Sequence, residues 1–124
     1  MSASVVENAL TFISESSIPL APGVREQCAN AKASTFELTQ FGLFSKVEIP
    51  KGVKLTDQPQ FQFKYLFGKH PALKNDFGVI LYFESSILQE VEFHTFGDES
   101  WPREDWDKAQ YYFRDLSTGA FLEY

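Results

Sequence analysis

The hydrophobic period of this 124-residue chain changes at Ser34, and that change constrains its fold more than any other feature. Before Ser34 apolar residues recur at helical spacing; after it they alternate. Val6, Ala9, Leu10 and Ile13 fall on one side of a helix over about residues 5–15. Ser4-Val5-Val6-Glu7 reads as its capping box, the Ser hydroxyl accepting from a free amide while Glu7 reaches back. Ser16, Ser17, Pro19 and Pro22 then form a linker. Pro22 suits the first turn of a short second helix with Val24, Cys28 and Ala31 on one side.

Thr35-Phe36-Glu37-Leu38-Thr39 alternates as a strand does, and residues 41–49 follow more loosely, with Gly42 a candidate bend. In residues 60–67, Phe61, Phe63, Tyr65 and Phe67 are expected on one face, with Gln62 and Lys64 on the other. Phe77-Gly78-Val79-Ile80-Leu81-Tyr82-Phe83 is apolar on both faces, as in a central strand covered by helices or a second layer. After Ser85-Ser86, residues 87–96 return as a strand that places Glu90, Glu92 and His94 together on one surface. Ser100 can cap a helix reaching about Tyr111, with Pro102 in its first turn and Glu104, Asp105 and Asp107 near its positive end. Tyr112-Phe113-Arg114 and Ala120-Phe121-Leu122 form a last hairpin across residues 115–119. These elements predict a single α+β domain over residues 1–124. Two N-terminal helices precede a mainly antiparallel sheet of about five to six strands, with a short helix before the C-terminal strands.

The composition supports a packed core: 44% of residues are apolar, and 13 are Phe. Burying a Phe is worth about 1.5–3 kcal/mol before entropy is set against it. Cys28 is the only cysteine, so no disulfide can form within the chain, which fits a reducing compartment. The N-terminus lacks the basic and apolar regions of a signal peptide, and the longest apolar run is too short to span a bilayer. A cytoplasmic location is expected. The net charge of −6 argues against nucleic acid and anionic lipid as partners.

That charge is unevenly placed. Residues 84–124 hold ten acidic and three basic residues, whereas residues 1–83 hold seven and eight. Trp101 and Trp106 sit within the acidic part, five apart, so they do not share a helical face. One is expected in the core and the other partly exposed, where a tryptophan amid carboxylates has the makeup of an interface anchor.

Catalytic and metal chemistry find little purchase. The two histidines, His70 and His94, and the single cysteine match no zinc spacing, and Glu104, Asp105 and Asp107 lack the loop of an EF-hand. No metal or cofactor is expected. There is no Gly-x-Ser-x-Gly elbow and no glycine-rich phosphate loop. Cys28, on the apolar side of a helix, reads as packing. Phe61, Phe63 and Tyr65 interleaved with Lys64 could imitate a base-stacking sheet, but a core face opposite a solvent face accounts for them. Glu90, Glu92 and His94 leave three readings open: a solvated face, a partner-binding face, or an acid/base cluster at the mouth of a Phe-lined pocket in a small enzyme or ligand-binding domain.

One stretch resembles a known family. Val79-Ile80-Leu81-Tyr82-Phe83, the Ser85-Ser86 turn, Leu88-Gln89-Glu90-Val91-Glu92-Phe93 and Gly97-Asp98-Glu99-Ser100-Trp101-Pro102 are similar to the layout of small acidic immunity proteins of bacterial polymorphic toxins, including contact-dependent growth inhibition systems. Ser85-Ser86 departs from the glycine-containing turn expected there. The resemblance implies a non-catalytic cytoplasmic protein that occludes a cognate basic toxin, such as a nuclease; the free chain is expected to be a monomer. From the charge pattern, Asp98, Glu99, Trp101, Glu104, Asp105, Trp106 and Asp107 are the expected contact residues, with Glu90 and Glu92 next.

Overall fold

The computed structural model describes residues 3–17, 19–114 and 121–123. Helices α1 (Ala3–Glu15) and α2 (Val24–Asn30) precede strands β1 (Lys32–Leu38), β2 (Gly42–Glu48), β3 (Phe61–Lys69), β4 (Phe77–Glu84), β5 (Ile87–His94), β6 (Gln110–Arg114) and β7 (Phe121–Glu123). The strands form one sheet in the order β1-β2-β5-β4-β3-β6-β7. Every neighbouring pair is antiparallel. The expected α+β class is observed, with seven strands rather than five to six. The turn expected over residues 115–119 lies outside the described residues.

α1 buries Val5, Val6, Ala9, Leu10, Phe12 and Ile13, the expected apolar stripe widened by two residues. It begins at Ala3, which puts Ser4 inside the first turn rather than at a cap outside it. α2 begins at Val24, so Pro22 precedes it instead of entering it. Gly23, at φ 90°, makes the junction: a Cβ there would lie 2.7 Å from the Leu55 carbonyl oxygen. Only glycine satisfies both the left-handed backbone and that close approach. Both helices join a single core with Leu43, Phe63, Leu66, Phe77, Val79, Leu81, Val91 and Phe93 of the sheet.

Two irregularities decide which side chains face away from that core. In β3 the pairing with β4 shifts between Phe63 and Leu66. The bulge turns Phe61 and Phe63 to the core but puts Leu66 there in place of Tyr65. The expected single face of Phe61, Phe63, Tyr65 and Phe67 is therefore broken in the middle. The second irregularity, in β5 beside Leu88, leaves Glu90, Glu92 and His94 in register with one another.

The helix expected from Ser100 to Tyr111 shrinks to one 3-10 turn, Trp106–Lys108. Tryptophans five apart cannot share a helical face, yet here they stack at 4.6 Å and 27°. Burying both indoles together outweighs helix formation in this segment. The Trp101 amide instead donates to the Gln40 carbonyl at 2.7 Å. Tyr111 consequently belongs to β6.

Candidate functional site: the uncovered sheet face

β4 was expected to be covered on both faces. Both helices pack on the face bearing Val79 and Leu81, and among the described residues no helix covers the other. Strand alternation puts Gly78, Ile80 and Tyr82 of β4 on this outer face, and cross-strand pairing adds Glu90, Glu92 and His94 of β5 and Phe44 and Lys46 of β2. Phe67 of β3 and Tyr112 of β6 extend it further.

Glu92 sits at the centre. Its cross-strand neighbours are Phe44 on one side and Ile80 on the other, neither of which can neutralise it. Glu90 lies between Lys46 and Tyr82. All of these but Lys46, which is exposed, are half-buried. Among the described residues neither glutamate makes an ion pair. The Tyr82 hydroxyl donates to Glu92 Oε1 at 2.5 Å. Burial, that hydrogen bond and the charges of Glu92 and Glu90 push the Tyr82 phenol up to about 12. It remains a donor throughout the physiological range. The two carboxylates, alternate residues on one strand, stand ~7 Å apart along the backbone. Their mutual repulsion at that spacing is about 0.5–2 kcal/mol between bulk water and an effective dielectric of 20.

His94 is held differently. Glycines flank it on both neighbouring strands, Gly42 and Gly78. A Cβ on Gly78 would lie 2.4 Å from His94 Nε2, so the ring lies flat over that glycine. Its edge meets Phe96 at 4.9 Å, and Phe96 stacks on Phe67 at 6.3 Å. Phe67 continues to Tyr112 at 6.4 Å. An aromatic row thus crosses four strands beside the two carboxylates.

The remaining expected contact residues lie at the end of the sheet where residues 70–76 and 95–109 gather. Trp101 is only 2% exposed and packs on Phe77 and Phe93, so it is a core residue and presents no anchor. Trp106 is half-buried, with its indole N–H donating to Pro102 O at 2.9 Å. Glu99 is a local clamp: its carboxylate accepts from the amides of Lys74 at 2.6 Å and Asn75 at 3.0 Å. Those bonds hold it below the usual carboxylate range. Asp98, Glu104, Asp105 and Asp107 are exposed. The helix start expected to account for the last three is reduced to one 3-10 turn, with Asp107 in its first turn and Asp105 before it making no side-chain cap. Asp105 takes a left-handed φ of 63° and pairs with Lys108 at 3.8 Å. The structure therefore brings Glu90 and Glu92 together on one face and leaves the 98–107 acids at another place.

Sequence reading missed Tyr82, Phe44 and Ile80 as neighbours of the carboxylates. Alternation marked their faces, but the pairing of β2 with β5 is non-sequential, and no local signal reports it.

The clefts formed around His70, between Phe67 and Arg114, and between Gln60 and Glu84 are lined by residues other than Glu90, Glu92 and His94. Phe63, from the face considered as a stacking platform, is in the core. Among the described residues no three His, Cys, Asp or Glu side chains converge on a possible cation position. No described helix is long and apolar enough to cross a membrane. Comparison with protein-family models, curated proteins and solved structures found no match to this chain.

Proposed function

We propose that this chain is a non-catalytic cytoplasmic binding protein, monomeric when free, that docks a basic protein partner on the outer face of its sheet. The observation that carries the reading is the pair Glu90 and Glu92: half-buried, in no ion pair among the described residues, and set among Phe44, Ile80 and Tyr82, with the exposed Lys46 beside Glu90 alone. A partner lysine or arginine would relieve their repulsion, while the flanking rings and Ile80 would lose water. The partner class that best fits both this face and the resemblance of residues 77–102 is a cognate basic toxin domain, neutralised by occlusion of its active site. Of the acids beyond the sheet, Asp98, Glu104, Asp105 and Asp107 serve such a partner as rim charges, acting on encounter rate more than on release.

The test pairs the chain with the C-terminal domain encoded by the reading frame immediately upstream of its gene. Coexpression should restore growth that the domain alone arrests. Glu90→Lys with Glu92→Lys should abolish protection and slow association about tenfold or more at low salt, with a flatter salt dependence. Unchanged protection and an unchanged on-rate in the folded double variant would sink the proposal.

A further inference from the structure

Three of the chain's eight lysines, Lys69, Lys74 and Lys108, line one cleft of about 550 Å³ at the loop end of the sheet. They come from the end of β3, the loop at 70–76 and the turn before β6, so only the fold assembles them. His70, Leu73, Asp76 and Gln110 complete the part of the lining that matters here. We propose that this cleft binds a small phosphate-bearing molecule, at a site apart from Glu90 and Glu92.

The charge argument comes first. The lining carries three ammonium groups against one carboxylate, an excess of two positive charges in a chain of net −6. The one lining acid, Asp76, already accepts the Tyr112 hydroxyl. Glu99 lies near Lys74 but is engaged by two backbone amides, and Asp105 pairs with Lys108 at 3.8 Å where both are exposed, so a ligand can compete for that ammonium. A concave surface lined mostly by one sign of charge focuses its field on a ligand of the other. An excess of two matches a dianionic phosphate, which lysines bind as point charges.

The cleft is also built in advance. His70 is 4% exposed; its Nδ1 accepts from the Ala72 amide at 3.0 Å, so Nε2 carries the proton and donates to the Glu104 carbonyl at 2.7 Å. The Leu73 amide donates to the His70 carbonyl at 3.0 Å. Together with the Glu99 clamp, these bonds fix the loop that carries Lys74. The Lys69 ammonium lies 5.6 Å above the Tyr112 ring. The volume falls within the range of small-molecule sites and exceeds what a phosphate alone fills. Leu73 and the His70 ring offer a wall for an attached organic group.

Trp106 stands 4.5 Å from His70 and supplies an intrinsic reporter. Pyrophosphate and adenosine monophosphate, titrated separately at constant ionic strength, should each give a saturable change in tryptophan fluorescence with matching calorimetric heat. Lys69→Gln and Lys108→Gln, both at exposed positions, should each weaken binding at least fivefold, and the double variant should lose saturation while keeping its circular dichroism. A non-saturating response, an equal response to added chloride, or wild-type binding by the double variant would overturn the proposal. Glu90→Lys with Glu92→Lys should leave this binding unchanged, so the two sites stand or fall independently.

Discussion

Gln27 is the polar residue on which the arrangement of the outer face most depends. It lies on α2 with no exposed surface, and its side chain reaches three backbone groups of two other segments. Oε1 accepts from the Leu88 amide at 2.7 Å. Nε2 donates to the Lys54 carbonyl at 3.0 Å and to the Ser86 carbonyl at 2.9 Å. Gln27→Leu keeps the volume and removes all three bonds. At about 0.5–1.5 kcal/mol each, the bonds account for roughly 1.5–4.5 kcal/mol, and the orphaned Leu88 amide adds about 1–3 kcal/mol. The leucine recovers part of this through apolar burial, leaving an expected loss of about 3–5 kcal/mol. Against a typical total of about 5–15 kcal/mol, that is a large fraction. Urea unfolding should show a midpoint lower by about 2 M for a slope near 1.5–2.5 kcal/mol/M. Hydrogen exchange should quicken first at residues 85–89, ahead of α1. A loss below 1 kcal/mol, or exchange that quickens elsewhere first, would refute the assignment of Gln27 as the tie between α2 and the β4–β5 hairpin.

Two further perturbations follow from the same region and from the loop end. The β4–β5 turn places Ser85 at φ 54° and Ser86 at φ 66°, the type I′ pattern that asparagine and glycine favour. Ser85→Asn with Ser86→Gly should raise stability by about 1–2 kcal/mol in urea unfolding, and no gain would mean that the serine turn is unstrained. The Glu99 carboxyl titrates below its ordinary value, so its contribution is present above the unfolded pKa and is lost as pH falls through the depressed folded value. Protection of the Lys74 and Asn75 amides, measured against their intrinsic exchange, should therefore fall at acid pH, while Glu99→Gln should remove that acid dependence. Identical acid profiles for the two proteins would exclude the clamp.

The parts of the fold that depend on local pattern were legible in the sequence. The stripe of α1, the change of period near Ser34, the β4–β5 hairpin and the shared face of Glu90, Glu92 and His94 all follow from spacing alone. What was hidden depends on partners distant in sequence. A serine pair at left-handed φ looks like a poor hairpin turn until Gln27 and the Pro59 carbonyl, which accepts from the Ser86 amide at 2.9 Å, are seen to hold it. The β3 bulge moves Tyr65 out of a regular alternation that no local residue interrupts. The 98–107 segment carries strong helix-start chemistry, yet stacking Trp101 on Trp106 against Phe77 overrides it. In each instance a long-range packing gain exceeds a local preference worth about 1 kcal/mol.

The same separation of local from long-range effects decides what the acidic third of the chain means. Along the sequence, the 98–107 acids look like the stronger half of a binding surface. In space they share their end of the molecule with Lys69, Lys74 and Lys108, which come from both sides of that segment, and Arg103 turns to the Thr39 carbonyl at 3.2 Å. The acids of that segment therefore present no continuous negative field to a partner. Glu90 and Glu92 are fewer, but their cross-strand neighbours are mostly uncharged. A partner that brought only charge would leave Phe44 and Ile80 in water. One that brought only apolar surface would bury two unpaired carboxylates, at several kcal/mol each. Under the proposed function, the face therefore selects for a surface that presents a cation within an apolar ring. That requirement excludes most acidic, and most merely basic, proteins, and it makes the pair Glu90 and Glu92 a source of specificity more than of raw affinity.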